Sequence, residues 1–237
     1  MLHQNPEPLL RDIAEVELDH DPLLRHALAV HRLANRPEED GRVKLGRRRV
    51  QPLRPPVAER LDHRLELDLN ALDGTDIATI NDLDPTDVAA VDLDLGVAGA
   101  GDGVADSITV NGTVGPQAFD ISGGAGLVGV QTAGVALDLV NAQPATDTLT
   151  VNSSGGDDTV SASALVATSV VLTLNGGNEN DTLVGSAGND TINGEVGNDL
   201  MVGGPGNDTF TGGAGTDQAN GGLGADVDGG GIEIFNQ

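Results

Sequence analysis

The chain has 237 residues, with 37 Asp and Glu against 12 Lys and Arg and a formal net charge of −25. Three Phe and no Trp or Tyr leave little for a bulky aromatic core, and the absence of Cys excludes disulfides and thiolate metal sites. Every basic residue lies at or before Arg64, so residues 65–237 carry 26 acidic groups (37 minus the 11 before position 65) with no Lys or Arg among them; such a body excludes nucleic acid and anionic membrane as partners and favours a hard divalent cation.

Residues 1–64 differ from the rest: they hold all five His, eleven Arg, Lys44 and only two Gly. Leu9, Leu10, Ile13 and Val16, then Leu23, Leu24, Ala27, Leu28 and Val30, have helical spacing interrupted by Pro22 and Pro37. Arg47-Arg48-Arg49 followed by Pro52, Pro55 and Pro56 reads as a basic, extended linker. The expectation for 1–64 is a disordered or weakly helical segment, with His20, His26 and His31 scattered on its surface rather than forming a site. An upstream start or a shifted frame would produce the same abrupt change, so this segment need not be native. No run reaches the roughly 18 apolar residues of a spanning helix, which predicts no membrane insertion. The N-terminus lacks the basic, apolar and small-residue order of a secretory signal peptide.

From residue 65 the alphabet becomes Asp, Thr, Val, Leu, Ala, Asn and Gly. A loose repeat recurs as Asp76-Ile77-Ala78-Thr79-Ile80-Asn81, Asp106-Ser107-Ile108-Thr109-Val110-Asn111 and Asp147-Thr148-Leu149-Thr150-Val151-Asn152. Its alternation predicts short strands, with partner strands at 88–95, 135–140 and 170–174. Units too small to bury their own apolar face predict stacking, so 65–175 is expected to be an irregular, degenerate-repeat parallel β-solenoid, with a Greek-key sandwich as the alternative. Gly155-Gly156-Asp157-Asp158 reads as an isolated relative of the motif that follows, or simply as a solvated turn.

Residues 176–229 then read, in steps of nine, GGNENDTLV, GSAGNDTIN, GEVGNDLMV, GGPGNDTFT, GGAGTDQAN and GGLGADVDG, with Asp181, Asp190, Asp199, Asp208, Asp217 and Asp226 at the sixth position. The pattern G-G-x-G-x-D-x-U-x, with U a large apolar residue, resembles the haemolysin-type calcium-binding (RTX) repeat family. The resemblance implies an all-β parallel β-roll with two nonapeptides per coil and Ca2+ between stacked turns. Asp181, Asp199 and Asp217 would then line one edge and Asp190, Asp208 and Asp226 the other, giving four turn pairs and about four ions. Glycine at the second position (Gly177, Gly204, Gly213, Gly222) and the fourth (Gly188, Gly197, Gly206, Gly215, Gly224) permits positive φ and turns carbonyl oxygens towards the ion. One turn supplies too few of the six to eight or so oxygens that calcium takes, so two must share it.

Glu179 replaces glycine at the fourth position of the first repeat, and Ser186 and Glu195 at the second position of the next two, so the first turn pair departs most from the pattern. Asn180, Asn189, Asn198 and Asn207 at the fifth position are expected to suit left-handed backbone. Leu183, Met201 and Ala219 should form one inward column and Ile192 and Phe210 another, with Asp228 ending the roll because a carboxylate is costly to bury. Residues 230–237 form the cap or tail.

The function expected is non-catalytic: calcium ion binding that folds a secreted or cell-surface structural module. The resemblance also implies export by type I secretion machinery, and an uncapped coil near residue 65 suggests end-to-end self-association. A calcium-binding C-terminal part of a larger exoenzyme, toxin or adhesin is one alternative. A carbohydrate-active β-solenoid enzyme is another, but beyond Arg64 there is no His, Lys, Arg, Tyr or Cys to shuttle a proton or hold an acidic sugar. Ice binding would need regular ranks of outward Thr; Thr182, Thr191 and Thr209 begin such ranks, and Leu200, Gln218 and Val227 break them.

Overall fold

Alternating burial along most strands of the described coils builds two large sheets that face one another, with inward residues stacked strand over strand, beside a two-stranded ladder of Gly96–Val97 and Ala100–Gly101. The computed structural model describes residues 28–33, 65–70, 74–81, 88–97, 99–132, 134–143, 146–167 and 169–236. The first sheet has eight strands in the order Leu28–Leu33, Thr75–Ile80, Ser107–Asn111, Thr148–Gly155, Val171–Asn178, Thr191–Val196, Thr209–Ala214 and Val227–Asp228. The second has ten: Leu65–Asn70, Val88–Asp94, Ala136–Val140, Leu127–Gln131, Ala118–Gly124, Thr159–Leu165, Thr182–Val184, Leu200–Pro205, Gln218–Leu223 and Ile234–Asn236. From residue 148 onwards every ladder is parallel, so the chain crosses from one sheet to the other and returns once per coil.

The core is a set of inward columns. Ile80, Val110, Val151, Leu174, Ile192 and Phe210 are in register along the first sheet. Phe119, Val160, Leu183, Met201 and Ala219 do the same along the second. All are buried, and Leu174, Leu183, Ile192, Met201 and Phe210 are 0% exposed, so even with three Phe the roll has a closed apolar centre. Asp228 pairs with Phe210 at the next position and is exposed, and the first sheet ends there. The second sheet gains one strand more, from the tail, as Ile234–Asn236 pairs with Gln218–Leu223.

The solenoid expected over 65–175 is present, with three departures. Residues 118–140 form an antiparallel meander inside the otherwise parallel second sheet. The two-residue turn Ala125-Gly126, with φ of 53° and 86°, has the left-handed pair that closes a tight hairpin and reverses the chain before it can cross over. The strand expected at 170–174 lies in the first sheet, beside Thr148–Gly155, rather than opposite it, because Leu172 and Leu174 continue the first sheet's inward columns. Leu28–Leu33, within a stretch of helical spacing, is a strand antiparallel to Thr75–Ile80; the outer edge of that strand offers unpaired backbone groups, and satisfying them outweighs weak helical propensity. The helix expected around Leu9–Val16, His20, His26 and the basic linker lie outside the described residues.

An asparagine ladder joins the irregular coils to the regular ones. The side-chain amides of Asn111, Asn152, Asn175 and Asn193 each donate to the carbonyl oxygen of the asparagine one coil earlier, starting from Asn81, at 2.7–2.9 Å. The spacing along it runs 30, 41, 23 and 18 residues, so loops of different length are absorbed outside a constant strand register.

Candidate metal centre

The turns between strands stack as closely as the strands. At the fourth position of the nonapeptide, Gly197, Gly206, Gly215 and Gly224 have φ of 153°, 146°, 152° and 152°, and a Cβ on any of them would strike the carbonyl oxygen of the residue one coil earlier. The second-position glycines Gly177, Gly204, Gly213 and Gly222, with φ between 97° and 110°, meet an equivalent carbonyl. Gly188 differs: it lies outside the left-handed region, and a Cβ there would be 3.3 Å from the Ala167 carbonyl oxygen. Glu179 and Glu195, non-glycine residues at these positions, still adopt φ of 70° and 74° because the stacked coils impose the turn.

The aspartates stand on two edges and are linked coil to coil. The backbone N–H of Asp181 donates to Oδ1 of Asp199 at 2.8 Å, and that of Asp199 to Asp217 at 2.8 Å. On the other edge Asp190 donates to Asp208 at 2.9 Å and Asp208 to Asp226 at 3.0 Å. These are the four turn pairs expected from the repeat. Glu233 takes the next place on the first edge, its carboxylate accepting from the Asp217 N–H, a role its position in the tail did not reveal.

Each Asp except Asp190, whose carboxylate is held by Ser186 of its own turn, therefore commits one oxygen to the N–H of the coil before it. The other, Oδ2, has no hydrogen-bond partner in Asp181, Asp199, Asp208 and Asp217, although these residues are 0–2% exposed. Leaving a buried carboxylate oxygen unsatisfied is costly unless something positive occupies the place of the missing donor. Burial, opposed by the backbone N–H of Asp158 and reinforced by the Asp158 and Asp199 charges, pushes the Asp181 carboxyl up to about 7. Burial likewise raises Asp190 to about 6 against its bonds to Ser186, and raises Asp199 and Asp208. Serine at position 186 thus serves its own turn: its hydroxyl and N–H both bond the Asp190 carboxylate, at 2.6–3.0 Å.

The fifth-position asparagines have a role other than the one expected. None is left-handed; instead Asn180, Asn198, Asn189 and Asn207 accept N–H groups from the next coil at 2.8 Å, opposite in direction to the aspartate links. The positive-φ demand falls on the second and fourth positions, which frees the fifth for a side-chain bridge. Among the described residues no three His, Asp or Glu side chains converge as a ready cage, so carbonyl oxygens of the glycine turns must complete any coordination shell. That fits a hard cation taking mixed carboxylate and carbonyl oxygen, and does not fit a zinc-type site.

No curated protein and no solved structure shows a significant match to the chain. A family model, the RTX calcium-binding nonapeptide repeat (4 copies), matches residues 173–201 and 194–228. Repeats of this family bind Ca2+, and the residues it covers are those that form the stacked turns and the two aspartate edges. Residues 173–228 thus match the RTX calcium-binding nonapeptide repeat, and their parallel strands form a β-roll.

Proposed function

We propose that the protein is a non-catalytic structural module whose C-terminal roll folds on binding about four Ca2+ ions, one in each linked turn pair, and that it works outside the cell or on its surface. The observation that carries this is the set of buried, unpartnered Oδ2 atoms on Asp181, Asp199, Asp208 and Asp217. The proposed ligands are the carboxylates of Asp181, Asp190, Asp199, Asp208, Asp217 and Asp226 and carbonyls of the glycine turns, Gly188 being the weakest candidate on its backbone conformation. Without the ion, like charges stack every 18 residues, and ordering the turns costs entropy with little apolar gain. Extracellular calcium modules have dissociation constants of roughly 10⁻⁴–10⁻³ M, which would leave the roll unfolded inside a cell and folded outside. That supports export in an unfolded state, with type I machinery as the route. The absence of a proton shuttle beyond Arg64 supports a non-catalytic role. Among the described residues no helix is long and apolar enough to cross a membrane.

The test is a calcium titration followed by circular dichroism and calorimetry, beside a double variant Asp199→Ala, Asp208→Ala. A cooperative gain of β signal at about four ions, weakened in the variant, is expected; a calcium-indifferent spectrum would retire the reading. Sedimentation with and without calcium tests self-association through the edge strand Leu65–Asn70.

One observation favours a second reading, a surface-binding role. Thr182 is followed by Leu200 and Gln218 in the second sheet, as expected, but in the first sheet Thr79, Thr109, Thr150, Thr173, Thr191 and Thr209 stand in one unbroken register before Val227 ends the rank. Strands about 4.8 Å apart give this uncharged face a fixed period, which suits an ordered lattice such as ice. Thermal hysteresis of the calcium-loaded protein, abolished by Thr150→Tyr with unchanged circular dichroism, would support it; no hysteresis would remove it.

A further inference from the structure

Residues 153–158, which lie outside the matched nonapeptides, occupy the place of one more turn. The register Ser154 to Gly177 and Gly155 to Asn178 superposes Ser153-Ser154-Gly155-Gly156-Asp157-Asp158 on Gly176-Gly177-Asn178-Glu179-Asn180-Asp181, position for position. Ser154 and Gly156, at the second and fourth places, have φ of 82° and 104°, the left-handed geometry of the glycines in the array. Asp158 N–H donates to Oδ1 of Asp181 at 2.8 Å, continuing the edge that runs through Asp199 and Asp217. The spacing across this link is 23 residues rather than 18, and glycine is lost at two positions, which hides the turn from a nonapeptide pattern.

The junction between these two turns holds more carboxylates than a regular pair. Asp158 and Asp181 are each 2% exposed. Asp157 accepts from the Asn180 N–H at 2.9 Å, and Glu179 accepts from the Gly156 N–H at 2.9 Å, so both reach across it. Oδ1 of Asp158 is taken by the Gln117 N–H at 2.6 Å, while its Oδ2 and that of Asp181 are buried without a hydrogen-bond partner. Ser153 lies near enough to favour the charged Asp158, but its proton is committed to the Gly176 carbonyl at 2.7 Å. No Lys or Arg exists beyond Arg64 to neutralise this cluster. One coil earlier Gln117, a neutral side chain, stands where the carboxylate would be, so the edge ends here.

We propose that residues 153–158 and 176–181 form an additional divalent-cation site, with Asp158 and Asp181 as the buried ligands and Asp157 and Glu179 at its rim. It would take Ca2+ by the chemistry argued for the array, on which it rests, and it would join the irregular solenoid to the roll as one metal-supported body. The experiment counts calcium bound per full chain by equilibrium dialysis for wild type, Asp157→Asn with Asp158→Asn, and Asp208→Asn on the opposite edge. One ion fewer in the double variant is expected, with the other ions retained. An unchanged count in the double variant, while Asp208→Asn loses calcium, overturns this site alone; a wild type that binds none overturns the calcium reading itself. A second measurement does not depend on how the double variant folds. The chain has no Trp or Tyr, and Val114 is 93% exposed with its backbone beside Gly155, so Val114→Trp places the single sensitiser next to the junction. Sensitised terbium emission displaced by Ca2+ is expected, and its absence in a chain that binds calcium elsewhere overturns the proposal.

Discussion

Acidifying the calcium-free protein should fold it, which inverts the usual behaviour of aspartates. An Asp whose folded pKa is depressed stabilises at high pH; here burial raises Asp106 and Asp181 to about 7 and Asp190 to about 6, from an ordinary 3.8. The folded state then binds more protons than the unfolded state between about pH 4 and 7, so stability falls as pH rises through that window. Between pH 7 and pH 5 the linkage relation gives about 2 kcal/mol from each of Asp106 and Asp181 and about 1 kcal/mol from Asp190. Neighbouring carboxylates titrate together and solvent screens part of each charge, so the sum of about 5 kcal/mol is an upper bound, to be set against the roughly 5–15 kcal/mol of a whole domain. At Asp181 and Asp190, two of the proposed calcium ligands, protons would relieve the same buried charge as the ion. The assay is far-UV circular dichroism and urea unfolding in calcium-stripped buffer at pH 7.0 and 5.0. A rise in β signal and in urea midpoint at pH 5.0 is expected. A signal that is flat or falls would mean that the edges are not strained by buried charge, and the reasoning for calcium as their counter-ion would fail with it.

Gly215→Ala should destabilise the calcium-loaded protein by about 2–5 kcal/mol, from positive φ and a collision with the Gly197 carbonyl, whereas Gly188→Ala, outside the left-handed region, should cost far less; paired thermal melts decide between them. Phe210→Ala removes the largest fully buried side chain of the roll and should cost about 3–5 kcal/mol in calcium, read as a shift in denaturant midpoint. Asn152→Ala breaks two side-chain bonds of 2.7 Å, to Asn111 and from Asn175, at about 1–3 kcal/mol, with hydrogen exchange rising first in the strands on either side.

The C-terminal array was legible because each of its rules is local. A nine-residue unit repeats without slippage, so its spacing alone sets which Asp shares an edge and which apolar residue enters which column. Asp228 in an inward register position is enough to end the first sheet. The Asp-to-Asn hexapeptides upstream likewise announced three strands of one sheet. Contacts between residues far apart in sequence could not be read that way. Whether 170–174 joined the first sheet or faced it depended on which columns Leu172 and Leu174 would extend. The meander at 118–140 depended on a hairpin forming before a crossover could, and Leu28–Leu33 became a strand because an open sheet edge was there to receive it. The asparagine ladder, the Glu233 end of one edge and the turn at 153–158 connect coils 16 to 41 residues apart. Periodicity determines what a coil is made of; only stacking, which aligns coils of unequal length by their strands, decides which side chains meet.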